Sequence, residues 1–339
     1  MKADHPTALA RALHAFFSEH MPLTRGLSRH TICSYRDALA LLLRFLATRH
    51  HCAVVHLDLD HLTPVDLVAY LDHLETDRAN GISTRNARLA AVHSFARFVA
   101  MHHPGHIELC QRLLAVPVKR GRPRAVEYLE GHEVRAMLDA TDLAKADGRR
   151  DHALLLTLFN SGARVQEILD VRPMDLQIDR PYQVRLFGKG RKERICPLWP
   201  RTAEVLRAFL EETGLREHST ERLFRNHRGE PLTRFGVRYL LRKYARRGQA
   251  SAPSLAQRRI HPHVMRHSAA VHLLQSGVDI ISISHWLGHA SVETTNRYAT
   301  VDLETKRAAV ARADPLFEDS RNLAAWRSDK SILDWLESL

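Results

Sequence analysis

Apolar residues recur at three- and four-residue spacing through most of the first hundred positions, the period of helices that bury one face. The spacing predicts helices over about 28–49, 64–78 and 83–102, after a shorter one near 7–19. Each of the three longer helices has a start signal. Ser28, Thr63 and Ser83 stand where a side-chain oxygen can accept from the free N–H groups of a first turn. Pro64, which has no N–H to leave unpaired, suits the first helical position. Residues 1–115 therefore read as a small helical domain.

Beyond it the period changes several times. Residues 130–140 and 150–159 read as helices, and Asn160-Ser161-Gly162 then breaks the pattern before a new helix begins, which puts Arg164 at a helix start. A guanidinium beside the free N–H groups of a first turn makes a ready site for a phosphate, and Glu167, one turn on, can orient it. Residues 182–198 alternate as strands do, with Tyr182, Val184 and Leu186 on one face and Gly188-Lys189-Gly190 as a turn, so a β-hairpin carries Lys189 at its tip. Arg185, Arg191, Lys192 and Arg194 add positive charge around it.

Further on, Arg234, Arg238, Arg242 and Arg246 are spaced by four, a basic stripe opposite Val237, Leu240, Leu241 and Tyr244. From 231 to 278 there are nine Lys and Arg and no Asp or Glu, whereas an ordinary solvated face mixes signs. Residues 313–339 form a tail in which Ile332, Leu333, Leu336 and Leu339 share one helical face.

Between the two regions, Pro-Val-Lys-Arg-Gly-Arg-Pro-Arg at 117–124 has two prolines, four basic residues and no acid, so 116–125 reads as an extended linker. Arg120, Arg122 and Arg124 would lie against a phosphate backbone if the partner is nucleic acid.

Composition points the same way. Fifty Lys and Arg against 38 Asp and Glu leave a net charge of +12 over 339 residues, an excess that favours a polyanionic partner. An apolar share of 45% suits folded domains, no apolar run is long enough to span a bilayer, and the N-terminus lacks a secretion signal, so a cytoplasmic location is expected. Cys33, Cys52, Cys110 and Cys196 form no Cys-x-x-Cys pair, which argues against a disulfide framework or a zinc knuckle. His263, His267 and His272 invite a metal reading, but Val264 stands where the metalloprotease pattern needs Glu, so no metal site is expected.

The candidate chemistry lies near the C-terminus. His289 precedes Tyr298 by nine residues, and His-Pro-His-Val-Met-Arg lies a short way upstream. A tyrosine phenol attacks a phosphodiester only where strong donors hold the developing charge, and His263, Arg266 and His289 are clustered near one such tyrosine. Exchange of phosphodiesters through a covalent protein link conserves bond energy and needs neither nucleotide nor metal, and the chain has no P-loop, so no cofactor is expected.

With Arg164, Lys189, His263, Arg266, His289 and Tyr298 in this order, the sequence resembles the tyrosine recombinase, or phage integrase, family, with Xer-like spacing. The resemblance rests on Ser-Gly-Ala-Arg-Val-Gln-Glu, Gly-Lys-Gly-Arg-Lys-Glu-Arg, His-Val-Met-Arg-His and Leu-Gly-His-Ala-Ser-Val-Glu-Thr-Thr-Asn-Arg-Tyr. It implies a multidomain α and α/β protein: an N-terminal helical, SAM-like core-binding domain and a mostly helical catalytic domain with a small β-sheet over 126–312, together a C-shaped clamp on DNA. It implies that Tyr298 attacks the scissile phosphate to form a 3′-phosphotyrosyl link. Arg164 and Arg266 would then hold the non-bridging oxygens, Lys189 protonate the leaving 5′-oxygen, His263 accept the tyrosine proton and His289 hydrogen-bond the phosphate. Glu167 would support the site. The implied partner is double-stranded DNA, gripped by a homo- or hetero-tetramer whose C-terminal tails pack into neighbouring subunits, with co-encoded recombinases or accessory proteins as further partners. Two other readings stand beside this one: a type IB topoisomerase, and a DNA-binding regulator with an inactive recombinase fold.

Overall fold

The computed structural model describes residues 5–121, 126–188, 192–216, 218–288 and 293–299. The expectations for Arg122, Arg124, Lys189, Arg191, His289 and the tail over 313–339 lie outside the described residues. The chain divides into two compact units between Arg124 and Ala125.

In the first unit, α1 (Ala8–Ala15) starts at Thr7, whose hydroxyl accepts from the Ala10 N–H at 3.2 Å, and runs on into a π-helical stretch, Phe16–Thr24. Ser28 caps α2 (Arg29–Arg49), and Thr63 caps α3 (Pro64–Thr76), which begins on its proline. The next helix, α4 (Ile82–His102), departs from expectation. Its cap is Gly81 in extended conformation, so Ser83 lies inside the first turn; glycine is tolerated at that position nearly as well as serine, and Ile82 joins the helix. A further helix, α5 (Ile107–Leu114), follows. Phe16, Leu42, Leu46, Tyr70, Leu71 and Phe95 are buried between these helices, each side chain contributing roughly 1.5–3 kcal/mol of burial.

The start of the basic stretch is folded onto this unit. Asn86 donates to the Lys119 carbonyl at 2.8 Å and accepts its N–H at 3.2 Å, while Lys119 Nζ pairs with Glu75 at 2.6 Å. Lys119 is thereby neutralised, whereas Arg120 is exposed.

The second unit is mostly helical around a small sheet. It comprises α6 (Gly131–Asp139), α7 (Ala146–Ser161), α8 (Val165–Leu169), β1 (Leu176–Gln177), β2 (Gln183–Phe187), β3 (Glu193–Pro197), α9 (Pro200–Thr213), α10 (Arg234–Gly248), α11 (Pro262–Gln275), α12 (Ile280–Leu287) and α13 (Glu293–Ala299). The sheet is antiparallel, ordered β1-β2-β3, with Val184 opposite Cys196 and Leu186 opposite Arg194. Val184, Leu186 and Cys196 point into a core shared with Leu154, Leu158 and Ile168. On α10 the apolar stripe Val237, Leu240, Leu241 and Tyr244 is buried and the arginine stripe exposed. This helix is also locked by a polar contact. Tyr244 Oη donates to the fully buried Asp151 at 2.6 Å, and Arg150 donates to the other oxygen of that carboxylate.

Candidate active site

The site assembles where the end of α7, the start of α8, β3, the body of α11 and the end of α12 meet. Gly162 ends α7 with φ +55°, in the left-handed region, and a Cβ there would stand 2.5 Å from Leu287 Cδ2. The chain then turns through Ala163 into α8 with Arg164 as its extended N-cap residue. Glu167 reaches back over this turn. Its Oε2 accepts the Arg164 N–H at 2.8 Å and its Oε1 accepts Arg164 Nη1 at 2.7 Å. The guanidinium is thus aimed by a carboxylate that is itself only 4% exposed, while the Arg164 side chain keeps 38% of its own surface open.

Glu167 has a second cation. Arg194 Nη2, from β3, donates to Glu167 Oε2 at 2.7 Å. Burial pushes the Glu167 carboxyl up, but Arg194 first and Arg164 after it outweigh burial and hold it below the usual carboxylate range. It is therefore ionised at neutral pH.

Arg266, on α11, is buried. Nη1 donates to the Gly162 carbonyl and Nη2 to the Leu287 carbonyl, both at 2.7 Å. It ties the turn before Arg164 to the C-terminus of α12, where a positive charge is favoured by the helix dipole. Burial, then the Arg164 and Arg194 guanidiniums, pull its pKa down to about 10, which leaves it cationic at neutral pH. Arg194 is engaged by Glu167 and the Trp286 carbonyl, which leaves Arg164 and Arg266 as the cations of a site suited to an anionic group.

The Tyr298 side chain, on α13, is 1% exposed, and its Oη lies 2.7 Å from His267 Nδ1. His267 follows Arg266 directly in the chain, and His263 stands one turn back with its ring 6.5 Å from that of His267. Sequence reasoning missed His267 as the partner of Tyr298. The available signal was its i+4 spacing from His263, which puts both rings on one face of α11. His272 lies against Phe159 and Trp199 instead. Among the described residues no group of three His, Cys, Asp or Glu could hold a metal ion.

Around this site the predicted basic residues divide. Arg234 Nε donates to Gln166 on α8 at 2.7 Å, and together with Arg238, Phe235 and Arg222 it lines a groove of about 630 Å³. Lys192, beside the hairpin turn, is exposed, and its carbonyl accepts the Gly188 N–H at 2.8 Å. Arg194, counted with these charges in the sequence, is turned inward.

Two family patterns match the chain. The Phage integrase family covers residues 127–305, and the phage integrase N-terminal SAM-like domain covers 15–103. The chain belongs to the phage integrase family of tyrosine recombinases. This recombinase is 40% identical over 332 residues to an integrase/recombinase of Sinorhizobium fredii named y4rC, a match that covers 98% of each chain. It is 30% identical to the tyrosine recombinase XerD of Ralstonia nicotianae over 88% of its own length and 92% of that protein. Its fold resembles that of the XerH recombinase bound to a palindromic difH substrate, with a TM-score of 0.69 and 20% identity over 85% of this chain and 81% of that one. Within the described residues no helix is long and apolar enough to cross a membrane.

Proposed function

We propose that this recombinase cleaves and rejoins double-stranded DNA at specific sites through a 3′-phosphotyrosyl intermediate. The observation that carries the reading is the Tyr298 hydroxyl on His267, the chain neighbour of a buried, cationic Arg266 that lies close enough to Arg164 for the two charges to repel. In the proposed reaction the Tyr298 oxygen attacks the phosphorus and the 5′-oxygen of the next nucleotide departs. Arg164 and Arg266 stabilise the non-bridging oxygens, Lys189 gives the leaving oxygen a proton and His289 hydrogen-bonds the phosphate. His263 accepts the phenol proton once DNA is bound, and His267 holds the ring in place. The freed 5′-hydroxyl then attacks the phosphotyrosine of a partner duplex, which restores the phenol.

Strand exchange between two duplexes requires four protomers, and we assign that assembly to this protein, acting in the cytoplasm on a mobile element or on a replicon dimer. Integration, excision, transposition and dimer resolution all use this same exchange. The linker arginines, Lys192, Arg191 and the α10 stripe are the proposed phosphate contacts, and the tail over 313–339 is the proposed link to a neighbouring subunit.

The test is recovery of covalently bound DNA. Wild-type and Tyr298→Phe protein are expressed in a native-like host, the lysate is denatured, and DNA left attached to the protein is sequenced. Adducts with wild type alone are the expected result and reveal the site. Adducts from Tyr298→Phe would remove Tyr298 from the mechanism, and none from either would favour the inactive regulator.

A further inference from the structure

We propose that Arg194 is a positioning residue that holds three described points in one frame: Arg164, the end of the β2 strand at Gly188, and the end of α12 at Gly288. The inference rests on the reaction proposed above. Two hydrogen bonds and two close backbone approaches carry it. Arg194 Nη2 donates to Glu167 Oε2 at 2.7 Å, and Glu167 in turn holds both the backbone and the side chain of Arg164. Arg194 Nε donates to the Trp286 carbonyl at 3.0 Å, three residues before His289. Gly288 has φ +64°, and a Cβ on it would stand 2.9 Å from Arg194 Cδ, so the left-handed residue that ends α12 is laid directly on the Arg194 stem. On the hairpin, a Cβ at Gly188 would stand 3.2 Å from Glu167 Oε1, so the residue before Lys189 rests on the same carboxylate.

The chemistry requires a guanidinium here. Its donors diverge in one rigid plane, so a single side chain can serve a carboxylate and a helix carbonyl in a fixed geometry, while a lysine ammonium is a compact point charge on a flexible stem with no fixed fork to span them. The end of α12 accepts two such groups in succession, Arg194 on the Trp286 carbonyl and Arg266 on the Leu287 carbonyl. Arg194 itself is only 11% exposed, so it acts on the reacting groups through Glu167 and α12. Stability alone does not explain such an arrangement, because a buried ion pair is often replaceable by apolar packing at no cost.

The experiment uses the duplex recovered with wild-type protein, and the same duplex with sulfur at the 5′-bridging position, a leaving group that needs no acid. Arg194→Ala and Arg194→Lys are compared with wild type in duplex affinity, melting temperature and single-turnover cleavage. Affinity is expected to stay within about twofold, while cleavage falls about 100-fold for Arg194→Ala and about tenfold for Arg194→Lys, the scale of a small misplacement of reacting groups. The bridging sulfur is expected to restore part of the rate only, since it dispenses with Lys189 and leaves Arg164 and the end of α12 displaced. Cleavage within about twofold of wild type, or a loss that follows affinity, would overturn the proposal. Complete rescue by sulfur would overturn the three-segment frame by confining Arg194 to the hairpin. Where Arg194→Ala melts below the assay temperature, Arg194→Lys decides. An inactive wild type would remove the reaction and the role together, whereas an active wild type with unaltered variants would remove only the role.

Discussion

The phenol oxygen of Tyr298 lies 2.7 Å from Nδ1 of His267, the residue that follows Arg266 on α11. Successive side chains of one helix therefore serve two purposes: Arg266 binds the end of α12 and the turn before Arg164, and His267 binds the candidate nucleophile. Any shift of α11 moves both. The reach of His267 to the phenol is also direct, which makes its role separable from that of His263 by mutation.

Replacing His267 with Phe keeps an aromatic ring and removes the hydrogen bond. Adduct formation is expected to slow about tenfold, whereas His263→Ala, which removes the proposed base, is expected to slow it about 100-fold or more. Both variants should bind duplex DNA like wild type. Single-turnover cleavage of the two side by side checks this, and a greater loss from His267→Phe would transfer the base role to His267.

Glu167 is a carboxylate with two arginine partners and almost no solvent contact. Glu167→Gln leaves these cations facing an amide, and a loss of about 3 kcal/mol is expected at neutral pH, less to the extent that the partly exposed Arg164 is solvated. The pH dependence has a definite sign. The folded carboxyl lies below its ordinary value of 4.5, so its contribution is present above pH 4.5 and disappears as pH falls through the folded value. Denaturant melts of both proteins from neutral pH to about pH 3 should show the gap between them closing on the acid side. A constant gap would mean that the charge of Glu167 contributes nothing to stability.

The i, i+3 pair Arg164 and Glu167 and the four-residue spacing on α10 were legible in the sequence, because helical period alone sets which side chains meet. Arg194 was not, although a signal existed: it shares strand parity with Cys196 and Leu198, both buried, so an inward arginine was to be expected there. Its partners, Glu167 and the Trp286 carbonyl, lie 27 and 92 residues away, and no local pattern joins them. The two-residue β1 exists through its pairing with β2, another contact that local periodicity does not encode. The cap of α4 was misplaced because Gly81 and Ser83 are both acceptable helix starts, and the choice depends on where Ile82 packs.

Gly162 brings the end of α7 close against Leu287 of α12. A methyl group there would meet Leu287 Cδ2 at 2.5 Å and Ala269 Cβ at 3.4 Å, and φ +55° disfavours any residue with a Cβ. Gly162→Ala is expected to destabilise the protein by about 1–3 kcal/mol, combining overpacking with left-handed strain. Because the Gly162 carbonyl also accepts from Arg266, cleavage should fall more than stability explains. Thermal melts and single-turnover rates on the same preparation test this, and an unchanged melting temperature would contradict the packing argument.

Arg238 and Arg242 are exposed on α10, while Tyr244 on its inner side is anchored to Asp151. The helix therefore carries exposed charge on one side and a buried anchor on the other, and the two faces should respond differently to mutation. Arg238→Ala and Arg242→Ala are each expected to weaken duplex binding and to lower the slope of log affinity against log salt by about 1, with unchanged melting temperature. Tyr244→Phe leaves a buried carboxylate short of a donor and is expected to lower stability by about 1–3 kcal/mol. Its salt slope should stay that of wild type. Salt titrations of duplex binding separate these effects, since a phosphate contact changes the slope and a loss of folded protein changes only the amount that binds. An unaltered slope in both arginine variants would take α10 out of the DNA interface and leave its exposed charge as a solvated face.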